Sequence, residues 1–429
     1  MMKQESASRF NRGRWLVWGL FALVLAIAPL VFRSSLSITM LSQMGIAIIV
    51  CLSYNMLLGQ GGMLSFGHAV YSGLGAYVAM HALNGISSGG LPIPVSTIPL
   101  VGGVAGMGFA ALFGYVTTRK AGNTFAMITL GLGELVFAMS LMVPEFFGGE
   151  GGVSGNRVTG KPFFGITFGP PIQVYYLIAL YTFVCVAAMF AFTRTPLGRM
   201  LNAVRDNPER VEFVGYNTQR VRYMAFIIAG FFAGISGGLG ALTFEIVTAE
   251  VVHAARSGAY LLFTFLGGAT FFFGPIIGAI LMVLAFVLFS EFTKAWLLYL
   301  GLIFMFMVMY APGGIASLIM LNLRVASFGK LRQLLPTYLA LAVAGLIALC
   351  GAAAMIEMVY QLQLGAVQDG AVRFLGTSLD ARGAGSWLGA LALLAIGAFL
   401  FERTRRRFAV QWGQVQEYIE NELKQREAA

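Results

Sequence analysis

Long apolar runs separated by short polar segments dominate the sequence. A helix that crosses a bilayer needs about 20 apolar residues. Runs of about that length lie near residues 15–32, 38–58, 62–83, 96–117, 122–143, 173–193, 223–243, 295–311, 336–356 and 384–401. A further run at 257–289 is too long for one helix and is broken at Gly267-Gly268 and Gly274-Pro275, so we expect two shorter helices or a re-entrant hairpin there. The pattern predicts an all-α fold, a polytopic transmembrane helical bundle of about ten to twelve membrane segments.

The composition agrees with a membrane protein and excludes a soluble one. Only 11% of the residues are charged and 58% are hydrophobic, whereas about a quarter of the residues of soluble domains are charged. The 54 glycines beside 36 phenylalanines and 21 methionines fit helices that pack closely in lipid, where small residues let backbones approach. We therefore expect a multi-pass protein in contact with membrane lipid.

The positive charge of the chain follows membrane topology. With the N-terminus placed inside, 21 of the 28 Lys and Arg residues fall in inner segments, which is the bias of cytoplasmic loops. We therefore expect both termini to be cytoplasmic, and the net charge of +10 indicates no nucleic-acid partner. A cleaved signal peptide is an alternative, because the chain has a basic start and an apolar run that ends at Ala26-Ile27-Ala28. Two points argue against it: Pro29 would directly follow the cleavage site, and removing the first span would place the later basic segments on the wrong side of the membrane.

Motifs of enzymes and cofactor sites are absent from the sequence. No GxxxxGK[ST] phosphate-binding loop or HExxH zinc motif occurs. Cys51, Cys185 and Cys350 lie in apolar runs without a CxxC pair, so we expect buried thiols and neither a disulfide nor a metal site. The chain is predicted to be no enzyme and to hold no cofactor of its own.

Glu134 lies near the middle of the apolar run at 122–143. A carboxylate at the centre of a membrane helix costs about 2.5–3.5 kcal/mol on insertion scales. The apolar side chains of the run offset that cost only narrowly, so we expect Glu134 to face the interior of the bundle and to find a partner there. A structural hydrogen bond and a place on a translocation path are both compatible with this position.

Glycines and small polar side chains interrupt the apolar sequence between Asn55 and Ala76. Backbone groups freed by a broken helix are tolerated in a membrane only where protein or a water-filled cavity satisfies them, and transporters bind solutes at such breaks. We therefore predict that four polar residues of this stretch line a translocation path: Asn55, Gln60, Ser65 and His68. The alternatives are that the glycines serve helix packing alone and that His68 is a satisfied polar group.

The polar segment at 194–222 is longer than a connection between two helices needs. It contains helix-forming stretches at 197–204 and 208–214 and mixes basic with acidic side chains. On the inner side of the membrane, such a segment predicts a docking surface for a cytoplasmic partner.

Five sequence motifs, in order along the chain, resemble one family of transport proteins. The motifs are NMLLGQGGMLSFGH at 55–68, GLGAY at 73–77, TPLGR and AVRDN within 195–207, GG, GP and GA within 267–279, and YAPGG at 310–314. Together they are similar to the membrane subunits of branched-chain amino acid ABC importers, and the longer M-type subunit fits better than the shorter type. The resemblance covers residues 38–320.

The resemblance implies a function and a set of partners. It implies a permease of the bacterial plasma (inner) membrane that forms the translocation path for branched-chain or related amino acids. Its partners would be a homologous second permease subunit, two cytoplasmic ATP-binding subunits that hydrolyse ATP, and a periplasmic or extracellular solute-binding protein. Related permeases also serve urea and short amides, so the solute stays open. The alternative is a channel or secondary transporter driven by an ion gradient, with Glu134 as a proton or sodium site.

By the same resemblance, 194–222 corresponds to the coupling loop that docks on the ATPase. The residues assigned to this contact are Arg199, Arg205, Asp206, Asn207, Glu209, Arg210 and Gly215. The stretch from Glu209 to Gly215 resembles the family's Glu-Ala-Ala, three residues, Gly pattern, although Arg210 and Val211 replace the two alanines.

Three parts are expected along the chain. Residues 1–37 form the cytoplasmic N-terminus and first span, 38–320 the permease domain, and 321–429 a C-terminal extension with two further spans and a charged cytoplasmic tail. In the tail, an apolar stripe between Val415 and Leu423 is too sparse for a coiled coil. A surface helix and a partner contact are both open for it.

Overall fold

The computed structural model describes residues 12–159, 167–364, 371–374, 377–380 and 383–428. Lys3, Arg9, Lys161 and Arg382 of the predicted charge pattern lie outside these ranges. The helices are α1 (Arg12–Val31), α2 (Ser35–Gly61), α3 (His68–Ser87), α4 (Ile98–Thr117), α5 (Gly122–Met142), α6 (Pro144–Phe147), α7 (Pro171–Arg194), α8 (Pro196–Asp206), α9 (Pro208–Phe213), α10 (Thr218–Phe244), α11 (Ala254–Gly267), α12 (Gly274–Leu284), α13 (Ser290–Phe292), α14 (Trp296–Tyr310), α15 (Gly314–Ser327), α16 (Leu331–Leu364) and α17 (Ala384–Ala428). The strands are β1 (Val153–Ser154), β2 (Ile246–Val247), β3 (Ala371–Phe374) and β4 (Thr377–Asp380).

The described residues confirm the predicted transmembrane helical bundle. Eight of their helices are long and apolar enough to cross a membrane, and α14 with α15, which meet at a 49° bend, make a ninth span if the pair counts as one. The shorter apolar helix at Trp15–Val31 brings the number to ten, in line with the predicted ten to twelve. The strands form two antiparallel pairs, β1 with β2 and β3 with β4.

The described chain divides into two compact units, one of residues 1–289 and 304–316 and the other of 290–303 and 317–429. In the first unit, α10 is the central helix and packs against α2, α3 and α4. Glycines bring the backbones together: a Cβ on Gly102 would lie 2.7 Å from the carbonyl oxygen of Gly234, and a Cβ on Gly75 would lie 2.7 Å from Gly234 Cα. Small residues at helix crossings are typical of membrane bundles.

The apolar run at 257–289 is interrupted as predicted. Helix α11 ends at Gly267 and α12 begins at Gly274, and the two helices pack against each other. Gly268 has a φ of +113°, a backbone conformation that favours glycine. After α12, a π-helical turn at Ala285–Phe289 ends the apolar run at 257–289.

The second unit is built on α16 and α17, which pack side by side in opposite directions. Gly351 lies against the backbone of Leu394, and Gly397 against Ala348. In the apolar stripe at 415–423, Val415 and Ile419 are buried against Val325 and Leu334, whereas Tyr418 is 46% exposed. Of the two readings left open for the stripe, the structure favours a surface helix, with the α15–α16 junction of this chain rather than a partner covering its two buried residues.

Candidate functional site

The glycine-rich stretch predicted as a helix break separates α2 from α3. Helix α2 ends at Gly61, and Gly62 follows with a φ of +62°. The N–H of Gly62 donates to the carbonyl oxygen of Leu58, and the N–H of Met63 donates to that of Leu57. This left-handed glycine is the usual stop signal of an α-helix. The chain then runs without helix to His68, the first residue of α3.

A buried polar cluster surrounds this break. His68 Nε2 and Ser53 Oγ are 2.9 Å apart, and the Tyr54 hydroxyl donates to the carbonyl oxygen of Ser65 at 2.9 Å. The N–H of Ala69 donates to Ser257 Oγ at 2.9 Å, which ties α3 to α11. Ser53, Ser65 and His68 are fully buried. The cluster therefore places polar side chains, Ser65 and His68 among them, in the interior of the first unit.

Four of the five predicted path residues each keep one buried polar atom without a hydrogen-bond partner among the described residues. These atoms are Asn55 Oδ1, Gln60 Oε1, Ser65 Oγ and His68 Nδ1. Buried polar atoms are nearly always paired, so these four need an explanation such as water or a bound solute. Two further unpaired atoms, the Tyr77 hydroxyl and Thr182 Oγ1, lie elsewhere in the described chain. The four residues lie together at the end of α2 and the start of α3, within the segment that the sequence predicts.

Glu134 does not face the interior of the bundle, whereas the sequence predicts that it does. It lies on an exposed face of α5 together with Leu135 and Met127, whereas Thr129 and Val136 lie on the buried face. A Cβ placed on Gly131, one helical turn before Glu134, would have no neighbouring atom within 4 Å, so this position is also exposed. The expectation that Glu134 faces the interior of this chain's own bundle is therefore wrong: the buried face of α5 is already filled by other side chains.

Sequence reasoning missed three hydroxyl residues that hold the break in place. Ser53 and Ser257 bond to His68 and Ala69, and Thr129 Oγ1 accepts a hydrogen bond from the N–H of Phe66 at 3.1 Å. Serine and threonine in helices usually bond back to their own helix, and Thr129 also does so through Ala126. Nothing in their sequence positions distinguishes them from such residues.

The segment at 194–222 forms two short helices, which confirms the predicted helix-forming stretches. Thr195 Oγ1 accepts from the N–H of Gly198 at 3.1 Å at the start of α8, and Asn207 Oδ1 accepts from the N–H of Arg210 at 3.0 Å at the start of α9. A proline follows each cap, where its missing N–H costs nothing. The segment therefore has a defined shape.

All seven residues predicted for the ATPase contact are exposed on this segment. Those with exposed side chains or backbone are Arg199, Arg205, Asp206, Asn207, Glu209, Arg210 and Gly215. Gly215 has a φ of +92° and turns the chain after α9. Beside it, Phe213 is 90% exposed, Val214 70% and Tyr216 51%. Large apolar side chains in such a group are unusual on a free surface, and the sequence analysis did not single them out.

Arg205 differs from its exposed neighbours because its side chain turns back onto α2. Its Nη1 donates a hydrogen bond to the carbonyl oxygen of Gly59. Its Nε donates to Asp206 Oδ1 at 2.9 Å. The predicted coupling segment is thereby joined to the end of α2 at Gly59, which is one turn from Asn55 and next to Gln60.

Comparison with known proteins places this arrangement in a family. The family model described as "Branched-chain amino acid transport system / permease component" matches residues 36–312, which include the polar cluster and the segment at 194–222. The chain is similar to the high-affinity branched-chain amino acid transport system permease protein LivM of Salmonella typhimurium, with 30% identity over 71% of this chain and 76% of the relative. LivM of Escherichia coli K12 is 30% identical over 68% of this chain and 73% of its own length.

A more distant relative is the guanosine ABC transporter permease protein NupQ of Bacillus subtilis, 28% identical over 31% of this chain and 42% of the relative. No solved structure matches the chain. The matched family is one of transport permeases rather than of enzymes. The sequence motifs, the polytopic helical bundle and these matches agree, and the chain belongs to the family of permease components of branched-chain amino acid transport systems.

Proposed function

We propose that this chain is the membrane permease subunit of an ABC importer and forms the translocation path for branched-chain or related amino acids. The observation that carries the proposal is the family match over residues 36–312, which spans both the buried polar cluster and the segment at 194–222. The unpaired buried atoms of Asn55, Gln60, Ser65 and His68 support a path for a polar solute near the α2–α3 break.

The proposed energy source is ATP hydrolysed by partner subunits, because this sequence contains no phosphate-binding loop. The partners are a second, homologous permease, two cytoplasmic ATP-binding subunits and a periplasmic or extracellular solute-binding protein. The exposed face of α5 that carries Glu134 suits a contact with the second permease, where a carboxylate would lie between two proteins rather than in lipid. The chain itself is no enzyme and holds no cofactor.

The proposed location is the bacterial plasma membrane, with both termini in the cytoplasm. The distribution of Lys and Arg supports this orientation, since 21 of the 28 fall in the segments that lie on the inner side when the N-terminus is placed inside. In that orientation α8 and α9 are cytoplasmic, as a docking surface for ATP-binding subunits must be. The exposed group at Phe213, Val214 and Tyr216 supplies apolar area for that contact.

The proposed solute class follows the names of the two LivM relatives, which are branched-chain amino acid permeases. The guanosine permease among the relatives shows that proteins similar to this one serve other solutes as well. Solute selection is therefore assigned mainly to the solute-binding protein, and the permease supplies a polar path.

Co-purification tests the docking surface. The chain is expressed with the second permease and the candidate ATP-binding subunits, and the variant Arg210→Glu with Phe213→Ser is compared with the wild type. We expect the wild type to retain the ATP-binding subunits and the double variant to lose them, because a hydrophobic anchor and a charge on the same exposed helix are both changed.

Arg256→Glu is the matched control, since Arg256 is also exposed but lies at the start of α11, away from the segment. It should retain the ATP-binding subunits at the wild-type level. Equal retention by all three proteins would contradict the assigned docking surface. A wild-type chain that retains no ATP-binding subunit, yet carries solute in liposomes under an ion gradient alone, would contradict the importer.

A further inference from the structure

Arg205 and Leu201 form one face of α8 that lies on the end of α2. They are four residues apart, so they are neighbours on the same side of the helix. Leu201 is fully buried, and Arg205 is bonded to the carbonyl oxygen of Gly59. Arg199, two residues before Leu201, lies on the opposite side of α8 and is exposed.

Glycines at the end of α2 allow this close approach. A Cβ on Gly61 would lie 3.1 Å from Leu201 Cδ1, and a Cβ on Gly62 would lie 2.9 Å from Arg205 Cγ. The carbonyl oxygens of the last helical turn have no partner inside the helix and carry partial negative charge, so a guanidinium group binds there favourably. Asp206 holds two nitrogen atoms of the same guanidinium at 2.9 Å and thereby fixes its orientation.

The segment that follows this contact leads directly to the polar cluster and to α5. After Gly62, the chain reaches Phe66, whose N–H is bonded to Thr129 in α5, and then His68, which is bonded to Ser53. A Cβ on Gly67 would also overlap the carbonyl oxygen of Thr129. A displacement of α8 would therefore reach the α2–α3 break through the non-helical segment at 62–67, which is bonded to α5 at Phe66 and packed against it at Gly67.

We infer that Arg205 is a positioning residue that fixes α8 to the end of α2, so that movement of the coupling segment moves the α2–α3 break. This inference rests on the proposed function, because it assigns the link between the ATPase contact and the path. It also changes the predicted role of Arg205 from an ATPase contact to an internal link. A rigid element shared by two sites is the physical basis of coupling between them.

The first test measures solute carried per ATP hydrolysed in the complete reconstituted complex. In Arg205→Ala, we expect this ratio to fall by about tenfold, a usual size for coupling between two sites, while ATP hydrolysis and the amount of assembled complex stay near wild type. Arg205→Lys keeps the positive charge on a single donor nitrogen and should recover part of the ratio. Lys120→Ala changes an exposed cation elsewhere and should behave as wild type.

A merely structural role predicts a different result, namely less assembled complex with an unchanged ratio of solute to ATP. An unchanged ratio in Arg205→Ala would overturn the inference. Absence of ATP-driven uptake in the wild type would instead contradict the proposed function, so the two failures are distinguishable.

The second test does not depend on the stability of Arg205→Ala. Cysteines at Gly61→Cys and Leu201→Cys, with the three native cysteines replaced by alanine, would join α8 to α2 by a disulfide. The geometry suits this bond, because a Cβ on Gly61 lies 3.4 Å from Leu201 Cγ, close to where the cysteine sulfur would be.

If α8 and the end of α2 move together, the oxidised complex should keep most of the ATP-driven uptake of the reduced complex. Loss of uptake on oxidation that is restored by a thiol reductant would mean that α8 slides across α2 during transport. That result would overturn the inference.

Discussion

In the first unit, arginine side chains bond to backbone carbonyl oxygens at the C-terminal ends of two helices, α10 and α2. The two arginines differ in their number of hydrogen bonds and in their exposure to solvent. At the end of α10, Arg157 donates to four backbone carbonyl oxygens, those of Phe168, Gly169, Leu242 and Thr243. Its side chain is only 15% exposed. At the end of α2, the side chain of Arg205 is 39% exposed, and its described partners are Gly59 and Asp206.

The segments that carry the two arginines also differ in how firmly they are attached to the bundle. The segment of Arg157 is joined to the end of α10 by the β1–β2 pair, with Val153 opposite Val247, and its backbone N–H donates to Glu245 at 2.9 Å. Arg205 instead lies on a short helix with an exposed outer face. Arg157 therefore lies in a part of the bundle that many contacts hold in place, whereas Arg205 joins α8 to α2 by fewer contacts, as the proposed coupling requires.

The largest effect on stability is expected for Arg157→Ala. The change removes the arginine donor from four partly buried carbonyl oxygens, and we expect a loss of about 3 kcal/mol in the free energy of unfolding. Arg157→Lys keeps the charge but not the planar fork of donors, so it should recover less than half of the loss. Thermal unfolding in detergent measures both.

Arg205→Ala is the matched control in the same experiment. Its side chain is more exposed and has fewer partners, so we expect a loss below about 1 kcal/mol. Equal losses for Arg157→Ala and Arg205→Ala would remove the distinction between a stabilising and a coupling arginine.

The next effect concerns the glycine contacts that hold α10 in place. A Cβ on Gly234 would overlap the carbonyl oxygen of Gly102, so Gly234→Ala forces α4 and α10 apart. We expect a loss of about 2–3 kcal/mol in the same unfolding measurement. Gly240 is in the same helix with no atom near its Cβ position, and Gly240→Ala should be neutral or slightly stabilising. Similar losses at the two positions would contradict the close packing of α10.

A smaller effect is expected from the Ser53–His68 hydrogen bond. Ser53→Ala and His68→Ala each leave a buried polar partner unpaired, so the double variant should lose less stability than the sum of the single variants. We expect a coupling energy of about 1 kcal/mol. A coupling energy of zero in the double-mutant cycle would mean that this bond contributes nothing to the break.

The smallest effect is expected when the second unit is shortened. Both arginines, the polar cluster and the segment at 194–222 lie in the first unit, and residues 38–320 are the predicted permease domain. A chain that ends after Lys330 should therefore still assemble with ATP-binding subunits at the wild-type level in a pull-down. Loss of assembly would assign the C-terminal extension a role in the complex.

Much of the bundle could be predicted because its elements depend on local sequence. The apolar runs, the glycine break after α2 and the interruption before Gly274 all appear in the structure. The helices α8 and α9 follow from capping side chains and prolines that lie next to each other in the sequence. Each of these signals acts within a few residues.

The remaining features depend on contacts between distant segments. Arg157 meets carbonyl groups 85 and 86 residues further along the chain, and Arg205 meets Gly59 from 146 residues away. The burial of Val415 likewise depends on Val325 and Leu334. Glu134 was misplaced because insertion energy alone shows that a carboxylate avoids lipid, without showing whether this chain or a second protein covers it.

The importer is tested most directly by leucine uptake into liposomes that contain the complete complex and its solute-binding protein. Ionophores collapse the ion gradients, and ATP is supplied only to the side of the ATP-binding subunits. We expect uptake that requires both ATP and the solute-binding protein and that persists without an ion gradient. Uptake by this chain alone, driven by an ion gradient and indifferent to ATP, would contradict it.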